Sequence, residues 1–284
     1  MILSIGCSHS AGPYDSNDKR IESKFNWPEA ITQHTNEKHR HIAIPGQGII
    51  SYYEVLKHLE DHNLLSHIDK LLVQHTQEPR LVTSIIPTEI YDMIVSKSSD
   101  AVSNDDIKFK HTVFDTEDSV MNIGSPNTLL RSTFNGRLTK NKPNTETKLF
   151  VTEMFDNIHS LFSYARGYKI IFDLVRAEII RTCKRNNIEL FEFAWDWSGS
   201  HTNELTRDYE KVHTISSGDF MIVKEEFMKI VASNMDIDYV SNKQYLKTIY
   251  DDHTNMIGHF FPSGESIAQK AIINYLKSVE FFNE

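Results

Sequence analysis

The chain has 284 residues, enough for one large domain or two small ones, and its 39% hydrophobic and 24% charged residues describe an ordinary soluble globular protein. Acidic residues outnumber basic ones 39 to 30, for a formal net charge of −9. That balance argues against a nucleic-acid footprint and supplies no polybasic anchor for an anionic membrane; solubility is reason enough for it.

Ile2 to Gly6 is a short apolar run ended by glycine, the pattern of a central strand followed by a turn. No charged leader precedes this run, so no signal peptide is expected. No stretch reaches the length of a membrane-spanning helix, and the expectation is a cytoplasmic protein. Pro28 to Thr35 suits a helix with proline in its first turn. His41 to Ile44 is a second apolar run, closed by Pro45-Gly46-Gln47-Gly48, and Ser51 to His62 reads as a helix with Tyr52, Val55, Leu56 and Leu59 on one face. Lys70 to His75, with Leu71-Leu72-Val73 inside it, is a third strand of the fully buried type. Alternating strands and helices with short connections imply a parallel sheet covered on both faces.

From about 87 to 147 the sequence is polar, rich in Asn, Asp, Ser and Thr, and weakly periodic, which predicts an irregular insertion or lid. Phe150 to Tyr164 and Tyr168 to Lys184 are helical patterns, the second stopped by Asn186-Asn187. Ile188 to Ala194 follows as a buried strand, with Trp195-Asp196-Trp197 just past its end. Phe220 to Ala232 and Ser263 to Val279 complete the helices. The predicted fold is one three-layer α/β/α domain over 1–284, around a parallel sheet of about five strands.

Two places carry chemistry. Ser8 sits directly after the first strand in a Gly-x-Ser turn, where a hydroxyl is presented at the carboxyl edge of the sheet and backbone amides can face a developing oxyanion. Near the other end, Asp251-Asp252-His253 and Gly258-His259 crowd ahead of the last helix, where an imidazole could return to the serine as a general base oriented by a carboxylate. A His-x5-His spacing with flanking aspartates matches none of the well-attested metal patterns, so no metal and no cofactor are expected. Cys7 and Cys183 cannot build a disulfide framework.

Gly6-Cys7-Ser8-His9-Ser10 resembles the first block of the SGNH (GDSL-like) hydrolase superfamily, in its variant with Gly-Cys-Ser, which holds the nucleophile. Trp27-Pro28 resembles the tryptophan-containing step after it, and Ala43 to Gly48 resembles the second block. There Gly46, with Gly48 as runner-up, would lend its amide to the oxyanion hole. Val73 to Arg80 occupies the third block, with Thr76 where the superfamily has its oxyanion asparagine; Gln74 or His75 could substitute. The histidine-rich segment occupies the fifth block in two registers, since His253 with Gly258 and His259 with Gly264 both satisfy the glycine spacing. His259 has the better helix behind it, but Met256 stands where the family's aspartate belongs. The resemblance therefore implies Ser8 as nucleophile and His259 as base, with Asp252 or Asp251 reaching it or no acid at all; His253 with Asp251 is the alternative.

The implied function is an esterase or O-deacetylase working through an acyl-enzyme on small-molecule or carbohydrate esters. An acyltransferase of the same fold, or a non-catalytic binding or structural protein, are the alternatives. If neither histidine reached Ser8, catalysis by this route would be excluded.

Overall fold

The computed structural model describes residues 1–22, 26–45, 48–75, 88–114, 167–196, 209–213, 220–255 and 258–282. Among the described residues seven strands form one sheet: β1 (Ile2–Gly6), β2 (His39–Ala43), β3 (Lys70–His75), β4 (Phe109–Val113), β5 (Glu189–Ala194), β6 (Val212–His213) and β7 (Met221–Ile222). Their order is β4-β2-β1-β3-β5-β6, with β7 also against β5, and every pair is parallel. Two short strands thus share one edge, β6 beside Leu190–Phe191 and β7 beside Phe193–Ala194.

Successive side chains of a strand point to opposite faces, so a sheet covered on both sides must be apolar in both registers. Leu3, Ile5, Leu71, Val73 and Leu190 pack on one face against α3 (Ile49–Asp61), α4 (Thr88–Ser103) and α5 (Gly167–Asn186). Ile2, Leu72, Phe191 and Phe193 pack on the other against α2 (Trp27–Gln33), α6 (Val223–Asn234), α7 (Lys243–Asp252) and α8 (Pro262–Ser278). This is the expected three-layer sandwich, with seven strands rather than about five. Among the described residues, no helix is long and apolar enough to cross a membrane.

Local signals set the helix ends. The Asn26 side chain accepts the Glu29 amide at 2.9 Å and Pro28 occupies the first turn of α2. Asn187 ends α5 in the left-handed region at φ 58°, after which the Ile188 amide donates back to the Cys183 carbonyl at 2.9 Å.

The predicted insertion at about 87–147 is corrected in its first part. Residues 88–114 form α4 and β4, and β4 extends the β2 edge of the sheet. An edge strand needs cover on fewer sides than a central one, so Phe-Lys-His-Thr-Val carries no apolar run, and of its five residues Thr112 alone is buried. Residues 115–147 and the predicted helix at 150–164 lie outside the described residues.

Without β4 the order β2-β1-β3-β5-β6 is that of a doubly wound sheet. β2 lies on one side of β1, and β3 with β5 and β6 on the other, so the strand order reverses between β1 and β3 and a crevice opens at their carboxyl ends. The end of β3 is braced from the α5 side. Arg176 Nη2 approaches Glu192 at 2.6 Å, its Nε lies near both carboxylate oxygens, and His75 Nε2 donates to Glu192 at 3.0 Å. Burial opposes the charge of Glu192, but Arg176 and His75 outweigh it and hold the carboxyl down at about 2. Phe220 stacks on His75 at 4.6 Å.

Candidate active site

Ser8 opens α1 (Ser8–Ala11), the single turn that begins one residue beyond β1. Gly6 is required there by close approach. A Cβ added to it would lie 2.1 Å from Ser10 Oγ and 3.0 Å from Gln74 Oε1. The same Gln74 oxygen faces the Cys7 amide at 3.3 Å and the Cys7 thiol at 3.5 Å, so the third strand holds the turn at the residue before Ser8.

The Ser8 hydroxyl lies 2.8 Å from His259 Nε2. His259 Nδ1 lies 2.6 Å from Asp18 Oδ1. A carboxylate only accepts, so in a neutral imidazole the ring proton belongs on Nδ1 and Nε2 is left to accept from the Ser8 hydroxyl. Burial works against the charge of Asp18, but hydrogen bonds from His259 and Asn255 win and keep its carboxyl below the usual range.

Asp18 belongs to a compact turn that leaves α1. Tyr14 and Arg20 form an antiparallel bridge, and Asp15 Oδ1 accepts the amides of Asn17 and Lys19 at 2.8 and 2.9 Å. Asp18 adopts φ 58°, a left-handed conformation that aspartate tolerates better than most side chains. The Tyr14 amide donates to the Phe260 carbonyl at 2.8 Å, tying this turn to the segment carrying His259. The Tyr14 ring stacks on His259 with centroids 4.1 Å apart, and its hydroxyl donates to the Ser8 carbonyl at 3.1 Å. Asn255 binds from the far side, its Nδ2 donating to Asp18 at 2.8 Å and its Oδ1 accepting the His259 amide at 3.0 Å.

Of the predicted residues, Ser8 and His259 come together. Asp252 and Asp251 do not join them, and this corrects the expected acid. Both are exposed at the end of α7, where Asp251 is ion-paired with Lys247 one turn back, as a solvated helix end allows. His253 caps α7 and its Nδ1 lies 2.8 Å from Ser263 Oγ, so it serves the start of α8. Gly264 lets these segments touch, since a Cβ there would lie 2.5 Å from Phe260 and 2.7 Å from the His253 carbonyl. Gly46, Thr76 and Trp197 lie outside the described residues, while Gly48 is the N-cap of α3.

The carboxylate missing from the sequence reading is Asp18. Its sequence signal is the turn-forming run Asp15-Ser16-Asn17-Asp18 close behind the Ser8 block, with nothing in it to point toward a histidine 241 residues away.

Around this line the walls are aromatic. His9 stacks on buried Trp195 at 4.7 Å and meets His259 edge-on at 4.9 Å. Asp196 pairs with Lys224 at 2.7 Å. Glu265, 2% exposed, accepts the Trp27 amide at 3.0 Å, and burial pushes its carboxyl up to about 8. Among the described residues, no group of three or more His, Cys, Asp or Glu side chains is placed to hold a metal ion. The arrangement can pass a proton from a hydroxyl to an imidazole that an ionised carboxylate orients. No family model, no curated protein and no solved structure matches the chain.

Proposed function

We propose that the chain is a serine hydrolase of ester bonds that works through an acyl-enzyme on Ser8. The observation that supports this most strongly is the continuous line from the Ser8 hydroxyl to His259 Nε2 at 2.8 Å and from His259 Nδ1 to Asp18 at 2.6 Å. A serine hydroxyl is a weak nucleophile until a base takes its proton, and a base works best when a third group sets its tautomer and orientation.

In the proposed reaction Ser8 Oγ attacks the ester carbonyl as its proton passes to His259 Nε2. The imidazolium is stabilised by Asp18, which stays ionised. The alcohol then leaves with the Nε2 proton, and the acyl group remains on Ser8. Water attacks the acyl carbonyl, gives a proton to His259, and Ser8 recovers its proton as the acid departs. The backbone amide of Ser8, with Gly46 and Thr76, is assigned to the oxyanion. The resemblance to SGNH hydrolases suggests acetylated carbohydrates, lipids or small acyl esters as substrates. In this chain, though, the proposed acid comes from the turn after the nucleophile rather than from just before the base.

A serine-directed fluorophosphonate probe tests the reading on wild type, Ser8→Ala, His259→Ala and His253→Ala. Wild type and His253→Ala should label, and the other two should not. Labelling that survives Ser8→Ala would refute the proposal.

A further inference from the structure

α1 has four residues, too few to sustain itself: one helical turn fixes about six dihedral angles for a single hydrogen bond. The last carbonyls of a helix also lack partners within it. Here they are met from outside. The Tyr14 hydroxyl donates to the Ser8 carbonyl, as above. From the sheet beneath, His41 Nε2 lies 3.1 Å from the Ser10 carbonyl, and His111 Nε2 lies 3.1 Å from the Ala11 carbonyl.

Carbonyl oxygens only accept, so both imidazoles carry their proton on Nε2. His41 Nδ1 is then a bare acceptor, and Ser4 Oγ, 2.7 Å away, must donate to it. Ser4 Oγ in turn accepts from His39 Nε2 at 2.6 Å. The donors therefore run one way: His39 to Ser4, Ser4 to His41, His41 to the turn that carries Ser8. His41 and His111 stack at 5.0 Å with planes 7° apart, and Trp27 closes edge-on against His41 at 5.4 Å. Burial, with the neighbouring ring's charge next, pushes His39 down to about 3 and also drives His41 well below its ordinary value. Burial likewise brings His111 down to about 4. All three stay neutral near pH 7, so each keeps one tautomer and the line keeps one direction.

We propose that His41 and His111 are positioning residues for Ser8: their Nε2–H groups clamp the Ser10 and Ala11 carbonyls, and the clamped turn aims the Ser8 hydroxyl at His259. They touch neither substrate nor reacting atoms. The consequence for rate rests on the reading of Ser8 as nucleophile; the consequence for the turn does not.

The test uses His41→Phe, which keeps a stacking ring and removes both nitrogens, and His41→Gln, which restores a donor near the Nε2 position. Two readouts are taken on the full chain: deuterium exchange of the peptide covering residues 7–12, and the rate of fluorophosphonate labelling. Exchange should rise about tenfold in His41→Phe, the scale of one lost hydrogen bond. The limiting labelling rate should fall about 10- to 100-fold, with the half-saturating probe concentration unchanged, because a misplacement of about 1 Å costs that order of rate. His41→Gln should recover most of both. The proposal is overturned if His41→Phe exchanges and labels like wild type, or if His41→Gln folds with a wild-type Tm and recovers neither. Should His41→Phe not fold, His111→Phe on the less buried edge strand gives the same readouts with the same deciding outcomes. Should wild type fail to label, the reading of Ser8 falls and the exchange arm alone decides the clamp.

Discussion

His253 and His259 stand six residues apart on one connection, between α7 and α8, each with a glycine five residues on, yet they meet different partners. His259 has a side chain on each ring nitrogen, Ser8 at one and Asp18 at the other. His253 turns Nδ1 to Ser263 at the head of the next helix. The glycine spacing does not separate them, and the helix start at Pro262 only favours His259. What separates them is the turn at 14–20, which lays Tyr14 on one imidazole, sets Asp18 at its Nδ1 and takes the Phe260 carbonyl beside it. An imidazole's role follows from what its second nitrogen meets, and here that partner comes from the opposite end of the chain.

The sharpest way to break this contrast is to remove one imidazole at a time. His259→Ala should lower hydrolysis of a small activated ester about 10³-fold or more, as should Ser8→Ala, since each leaves the other half of the pair idle. If His253→Ala showed the large loss instead, the contrast would be inverted. Asp18→Asn comes next. Asparagine tolerates the same left-handed backbone, so the turn should persist, while kcat falls about 10²- to 10⁴-fold as His259 loses its ionised partner. A variant at wild-type rate would reduce the site to a dyad.

A third measurement concerns the buried carboxyl that follows His259 on α8. Glu265 is raised from 4.5 to about 8 in the fold. Its neutral form is therefore the one the fold prefers. The stability it contributes is whole below about pH 4.5 and is lost as pH rises through about 8. Each tenfold change in proton affinity is worth about 1.4 kcal/mol, so the loss amounts to a few kcal/mol. Glu265→Gln, which can still accept the Trp27 amide, should flatten the decline in urea-unfolding stability between about pH 5 and pH 8. An unchanged slope would mean that Glu265 titrates like a surface carboxylate. The smallest effects are expected at His253→Ala, Asp251→Asn and Asp252→Asn, each within about threefold of wild-type activity in the same ester assay.

Much of the scaffold was legible because its signals are local. The Ile2–Gly6 run, the Leu71-Leu72-Val73 strand and the Pro262 start of α8 each announce themselves within a few residues. Ser8 and the His259 register followed from them. The strands that escaped notice are edges: β4 is polar because it needs little cover, and β6 and β7 are two residues each. α7 escaped as well, burying only Leu246 and Tyr250 along ten residues. Asp18 was hidden for a different reason. An acid is recognised by its distance from a base, and no spacing rule spans 241 residues when the aspartate sits in a turn.

The wide separation of these groups along the chain has a consequence in time. Ser8 precedes His259 by 251 residues, and a ribosome adds about 5–20 residues each second. The proposed nucleophile and its acid therefore leave synthesis tens of seconds before the base exists. Under the proposed chemistry a growing chain carries a silent serine, and reactivity begins when the segment after α7 closes over the turn at 14–20. Stalled chains released before residue 259 should be inert to the fluorophosphonate probe, so that finishing the fold is itself the activating event.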